Sequence, residues 1–310
     1  MAGDNSHALP SGGALVARVV PFRQRVSSSP FVISAITPTI AVMLVIFGAP
    51  LTLSLYLSFQ GWNPTQPLFG GHAVGLANYI DLLTDWNFIR SILLTLGYTA
   101  TVVGVELAAG FAIALLLNMD VPLIHLLRSL LIVPMMMTPI VAALCWKLLL
   151  DPNRGIVNYL LGSNVVWLGN ADTALISVAL VNIWQNAPYV AILLLAGLRS
   201  LSREPFEAAK IDGANRWQML RYVVVPMLRP YILVALLLRT IFEFRSFDNV
   251  YVLTNGGPAD ATMLLSVFTY MTSFYRFDLS LGAAASWIML GISLVMCAFF
   301  IVVAGRRKTK

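Results

Sequence analysis

Between Arg25 and Asp81 no residue is charged, and most of that gap is apolar. So long an uncharged run limits what the chain can become. About 20 apolar residues already cross a bilayer as a helix, and the helix then satisfies its own backbone N–H and C=O groups. Further apolar runs follow, and together they predict six spans, at residues 30–59, 89–117, 129–150, 173–198, 231–253 and 282–304. The composition agrees: 58% of residues are hydrophobic and 11% charged, with mean hydropathy +0.80, where a soluble domain carries about 25% charge. The first run is far longer than the hydrophobic part of a cleavable signal and reads as a retained span. It is also long enough to require tilt, or a bend at Pro38 or Pro50. In the third span Pro134 and Pro139 flank Met135-Met136-Met137, a bent and adaptable segment. In the sixth, Gly282-Ala283-Ala284-Ala285-Ser286 permits close helix contact.

Charge sets the orientation. Fourteen of the 20 Lys and Arg residues fall in the tail (Arg18, Arg23, Arg25), at Arg128, in the stretch 199–230 and at the C-terminus. Cytoplasmic loops carry the basic excess, so both termini and that stretch are expected inside. The domain reading is a polar cytoplasmic tail at 1–29, a transmembrane domain at 30–305 and a basic cytoplasmic tail at 306–310. A net charge of +6 raises the question of nucleic acid, but the basic residues border apolar spans without the aromatics of RNA-binding modules. Nucleic acid is therefore not an expected partner; the lipid membrane is. Cys145 and Cys297 lie in apolar runs, and His7, His72 and His125 lack metal-ligand spacing. Neither a G-x-x-x-x-G-K-[ST] phosphate cradle nor a nucleophile–base set is visible, so no cofactor, metal or catalytic residue is assigned.

Polar residues inside the spans carry the functional signal. Asn182, Gln185, Asn186 and Tyr189 recur at i, i+3, i+4 and i+7, on one face of the fourth span. Such a row faces protein or water, as interhelical glue or as a pathway for a polar solute. The fifth span holds Arg239, Glu243, Arg245 and Asp248 in one predicted helix. Pairing Arg239 with Glu243 and Arg245 with Asp248 makes the group nominally neutral, either as a structural network or in contact with substrate. Phe242 and Ser246 extend that surface. Glu106, the internal charge of the second span, suits either pairing with a basic neighbour or proton coupling.

Residues 199–230 interrupt the apolar pattern with six basic and three acidic residues. Pro205 fits a first helical turn, Glu204 and Glu207 lie near its positive end, and Gly213 supplies a left-handed stop. Asn215 with Gln218 then forms a capping box for a second helix, which is expected to end or kink near Pro226. The segment reads as a docking lever on the charged side.

Glu207-Ala208-Ala209, Gly213 six residues after that glutamate, and the closing Val225-Pro226 resemble the cytoplasmic "EAA" loop of ABC importer permeases. Asn182-x-Trp184, Pro188-Tyr189, Phe247-Asp248, the run Tyr251-Val-Leu-Thr-Asn-Gly-Gly-Pro258 and the 282–286 segment resemble its carbohydrate branch, over roughly residues 90–305. The branch includes trehalose, maltose and glycerol-phosphate importers, and the short 118–128 turn looks more like the trehalose-type first subunit. The resemblance implies an all-α membrane protein with six transmembrane helices, the type I ABC importer permease fold and a cytoplasmic coupling helix. It implies a bacterial inner-membrane location, with an ATPase pair binding ATP and Mg, a second permease and an extracytoplasmic sugar-binding protein as partners. Coupling would fall to Glu207, Ala208, Ala209, Asp212 and Gly213. The sugar pathway would be lined by Asn182, Gln185, Asn186, Tyr189, Phe242, Glu243 and Ser246. Glu243 and Arg245 depart from the maltose pattern, where amides are expected, and so leave the sugar open. The alternatives are a proton-coupled secondary carrier of a polar solute, which Glu106 and the span-five charges suggest, and an ABC permease for glycerol-phosphate.

Overall fold

Helices, the long ones built from the apolar runs, account for most of the described residues in a computed structural model that describes residues 30–62, 64–67, 70–119, 122 and 124–305. The predicted tails at 1–29 and 306–310 lie outside the described residues. The chain divides into two units, Met1–Leu53 and Ser54–Lys310. In the described part of the first, α1 (Pro30–Met43) passes through a π-helical turn (Leu44–Gly48) into α2 (Ala49–Ser58), which ends in the second unit.

The second unit continues with a two-residue antiparallel pair, β1 (Gln60–Gly61) and β2 (His72–Ala73), then α3 (Ala77–Thr84) and α4 (Trp86–Leu117). The Asp85 carboxylate caps α4 by accepting from the Asn87 N–H. A bent pair follows, α5 (Ile124–Met136) and α6 (Pro139–Leu149), with an angle of 100° at the break. Pro139 cannot donate an N–H and opens the second helix, so the break falls between the two prolines noted in the sequence. Beyond it the Asp151 carboxylate accepts from the N–H groups of Asn153 and Arg154, which hold its carboxyl below the usual range, and α7 (Ile156–Leu161) follows.

The long helix α8 (Ala171–Ser200) is capped by Asn170 and packs along α4. Gly110 makes this possible: a Cβ there would lie 2.7 Å from the Val190 side chain and 3.0 Å from the Ala191 nitrogen. In a bilayer no water is squeezed from between helices, so this intimate packing, rather than area burial, holds the pair.

After α8 come α9 (Glu204–Ile211), α10 (Arg216–Met219), a π-helical turn (Leu220–Val224) and α11 (Val225–Phe244). Of the expected stop or kink at Pro226, the stop is corrected, because residues 216–244 run on as one apolar candidate span of 29 residues. The π turn is the physical reason. A proline ring clashes with the carbonyl four residues back, and the wider turn ending two residues before Pro226 relieves that clash. The turn at Leu44–Gly48 ends two residues before Pro50 and does the same there.

The fifth predicted span is corrected at its far end. Helix α11 stops at Phe244; Arg245 and Phe247 leave helical geometry, and a separate short helix, α12 (Asp248–Thr254), begins. Arg239 and Asp248 therefore do not share a helix. Then come α13 (Leu265–Tyr270), a third π turn (Met271–Tyr275) and α14 (Leu279–Gly305). Ala284 and Ala285 of α14 are fully buried beside Phe88, Phe244 and Phe268, where their small side chains let the helix approach. Five described helices are long and apolar enough to cross a membrane, or six if α5 and α6 make one span.

Candidate functional site

The chemistry gathers where α4, α8 and α11 meet. On α4, Tyr98 and Glu106 lie two turns apart on one face, with Val102 between them, and all three are buried. On α11, Arg239 and Glu243 lie one turn apart. The Arg239 guanidinium donates from Nε and Nη2 to the two oxygens of Glu106, each at 2.7 Å, and from Nη2 to Glu243 Oε2 at 2.9 Å. Glu106 thus meets a basic neighbour, and Arg239 meets Glu243 at the i+4 spacing. An unpaired charge at mid-helix costs about 2.5–3.5 kcal/mol in a membrane, which explains why these three groups share contacts. Two carboxylates around one guanidinium leave the cluster formally one charge negative.

The α8 row engages the same cluster. Asn182 Nδ2 donates toward Tyr98 Oη at 3.0 Å, Ser246 Oγ at 3.2 Å and Glu243 Oε1 at 2.5 Å, while its Oδ1 accepts from Asn186. Asn186 Oδ1 accepts from Arg239 Nη1 at 3.3 Å. Gln185 reaches the other way, donating to the Met137 carbonyl at the break between α5 and α6, and accepting from Asn249 of α12.

Beside this network lies a cavity of about 330 Å³, a volume within the usual range of small-molecule sites. Asn182, Gln185, Asn186, Phe242, Glu243 and Ser246 all line it, as do Arg239, Arg245 and Asp248. Tyr189, one turn beyond Gln185 on the same helix, packs against the apolar cluster of Ala114, Val190, Leu194 and Leu228. The expected Arg245–Asp248 pair is corrected. Among the described residues the ion pairs are those of Arg239, because the helix break between 245 and 248 removes the i+3 geometry.

Sequence reasoning missed Tyr98 and Asn249, and named Met137 and Phe247 without placing them at the site. The eight-residue spacing of Tyr98 from Glu106 was the available signal for the first, since it places both on one helix face. Asn249 adjoins Asp248, but its link to Gln185 is long-range and has no local signature.

The lever has the predicted punctuation. Pro205 occupies the first turn of α9, with Glu204 and Glu207 beside it. Gly213 has φ +77°, its N–H reaches Lys210 O and the Ala214 N–H reaches Ala209 O, a paired C-terminal closure that only glycine makes without strain. Asn215 and Gln218 exchange both capping-box hydrogen bonds. Glu207, Ala208, Asp212 and Gly213 are exposed and Ala209 half-buried. Ile211 and Trp217 are also exposed, at 87% and 67%, and the sequence reading had not singled them out. The lever is continuous with both site-bearing helices, and a Ser200–Tyr231 hydroxyl hydrogen bond joins the end of α8 to α11.

Residues 106–308 match the family of binding-protein-dependent transport system inner membrane components. The chain is 39% identical to a probable ABC transporter permease protein, y4oQ of Sinorhizobium fredii, over 94% of each chain. It is 32% identical to the trehalose/maltose transport system permease protein MalF of Thermococcus litoralis, over 81% of this chain and 85% of that one. Its fold superposes on a chain of a bacterial ABC transporter that imports the acidic polysaccharide alginate, with a TM-score of 0.78 at 23% identity, covering 89% of this chain and 96% of that one. The chain belongs to the binding-protein-dependent inner membrane component family, the ABC transporter permeases, and has the type I importer permease fold. It is a membrane-embedded transport subunit and not an enzyme, and the proton-coupled carrier drops out as an alternative.

Proposed function

We propose that this chain forms half of a translocation pathway for a neutral sugar, a disaccharide of the trehalose type, in the plasma membrane of a bacterium. A second permease, a pair of ATPase subunits that bind ATP and Mg, and an extracytoplasmic sugar-binding protein complete the assembly. The observation that carries the reading is the placement of the cavity: it lies between α8 and α11, and the lever joins those two helices. A relative whose name includes trehalose and maltose supports the sugar class. In this reading the lever faces the cytoplasm, which the basic excess of 199–230 and of both tails supports.

In this mechanism the ATPases close on ATP and draw α9 with them. Rigid helices pass the displacement to α8 and α11, and the cavity exchanges outward for inward access. Nucleotide shifts that balance only by binding one state better than the other. The Glu106–Arg239–Glu243 cluster holds α4 to α11 during the motion. Purification of the chain from its native membrane, with identification of co-purifying subunits and retained solute, tests the reading. Recovery of an ATPase and a neutral sugar supports it; a solute of another class, or transport without nucleotide, contradicts it.

A further inference from the structure

The α8 amides on the predicted sugar pathway are already committed within the protein. Asn182, Gln185 and Asn186 each use both the oxygen and the nitrogen of the side-chain amide on protein partners. Every nitrogen of Arg239 and both oxygens of Glu243 are likewise engaged. Among the described lining residues, Arg245 and Asp248 are the charged ones whose side chains make neither a hydrogen bond nor an ion pair, and both are exposed. They flank Phe247 on the elbow between α11 and α12, and the ring of Phe247 is fixed 5.0 Å from both Tyr251 and Tyr270. Three hydrogen bonds brace the elbow: Asn182 donates to the Ser246 hydroxyl, Ser266 to the Ser246 carbonyl, and Asn249 to Gln185. Asn249 Oδ1 is buried without a partner beside the cavity.

We infer that the elbow Arg245–Asn249 reads the substrate and selects a neutral polyhydroxylated ring over an anionic one. The α8 amides act as positioning residues that hold the elbow. The inference rests on the proposed sugar-permease function and adds the recognition chemistry. Asp248 accepts from sugar hydroxyls, Arg245 donates to hydroxyl or ring oxygens, and a polyol satisfies both at once because each hydroxyl is donor and acceptor. An anion would satisfy Arg245 while facing the carboxylates of Asp248 and Glu243, and the lining charges of Arg239, Glu243, Arg245 and Asp248 sum to zero, leaving no positive field to offset that repulsion.

The test is nucleotide-dependent uptake of labelled trehalose and of glycerol 3-phosphate by proteoliposomes of the complete native complex, carrying wild-type, Asp248→Asn or Arg245→Gln chains. The wild type is expected to take up trehalose and not glycerol 3-phosphate. Each variant should raise the KM for trehalose about tenfold or more, with maximal rate and complex yield within about twofold of wild type, and Asp248→Asn should make glycerol 3-phosphate a stronger competitor. An unchanged KM in both variants overturns the inference, as does loss of the complex, which would place the two residues against the second permease. Wild-type preference for glycerol 3-phosphate overturns it together with the neutral-sugar reading, whereas an unchanged KM beside nucleotide-dependent trehalose uptake overturns the inference alone. Nucleotide-independent uptake overturns the permease reading itself.

Discussion

Arg239 of α11 grips Glu106 of α4 through two parallel hydrogen bonds of 2.7 Å, although 133 residues separate them in sequence. That fork fixes one helix that continues from the lever against one that does not. It also leaves Glu243, on the next turn, with a share of the same guanidinium. The arrangement makes unequal demands on the three groups, and those inequalities can be measured.

Removing Arg239 leaves two buried carboxylates facing each other, whereas removing Glu106 leaves a balanced Arg239–Glu243 pair. Arg239→Ala is therefore expected to lose about 3–5 kcal/mol, in the range for breaking a buried ion pair, and Glu106→Gln distinctly less. Thermal unfolding of the detergent-purified complex reads the order. Equal losses would show that the two carboxylates do not share one cation.

Gly110 and Gly104 share α4 but meet different surroundings. A Cβ at Gly110 would press on Val190 at 2.7 Å, while at Gly104 nothing lies within 4 Å. Gly110→Ala should lower stability by about 1–3 kcal/mol through overpacking, and Gly104→Ala should be neutral or slightly stabilising. The same melting assay compares them, with Gly104→Ala as the internal control.

Ile211 and Trp217 expose large apolar side chains on the lever. If that face docks a partner, Ile211→Asp and Trp217→Asp should cut recovery of the ATPase with the purified permease by at least about tenfold while the permease still inserts. Unchanged recovery would assign the docking contacts to other lever residues.

The Asn215 cap provides a milder perturbation of the same segment. Asn215→Ala removes one hydrogen bond to the Gln218 N–H and is expected to destabilise the start of α10 by about 1 kcal/mol. Hydrogen exchange at residues 216–219 should accelerate about five-fold, with exchange in α8 unchanged; acceleration spread through α8 would mean that the cap supports more than its own helix.

The lever was legible residue by residue because its punctuation is local: Pro205, Gly213 and the Asn215–Gln218 box each act on the backbone within a turn. The apolar runs were legible for the same reason, although they could not distinguish a straight third span from the 100° break between α5 and α6. The elbow at Arg245 was not legible. Arg239, Glu243, Arg245 and Asp248 suit i+3 and i+4 pairing on paper, and nothing local announces that Phe247 leaves the helix with φ −131°. The packing of Tyr189 was not legible either: one turn beyond Gln185 the polar row meets the apolar cluster around Val190 and Leu194. Helical spacing shows which residues share a face; it does not show which neighbour that face meets farther along.

The central claim is that work reaches the cavity through the α9–Gly213 segment, and the most direct measurement counts sugar molecules imported per ATP hydrolysed in one proteoliposome preparation. Gly213→Val forces a β-branched residue to φ +77°, a local strain of about 1–2 kcal/mol or more, without touching the cavity. With Glu207→Lys alongside it, uptake per ATP should fall at least about tenfold while complex yield and trehalose KM hold. Normal uptake per ATP in both variants would contradict the account.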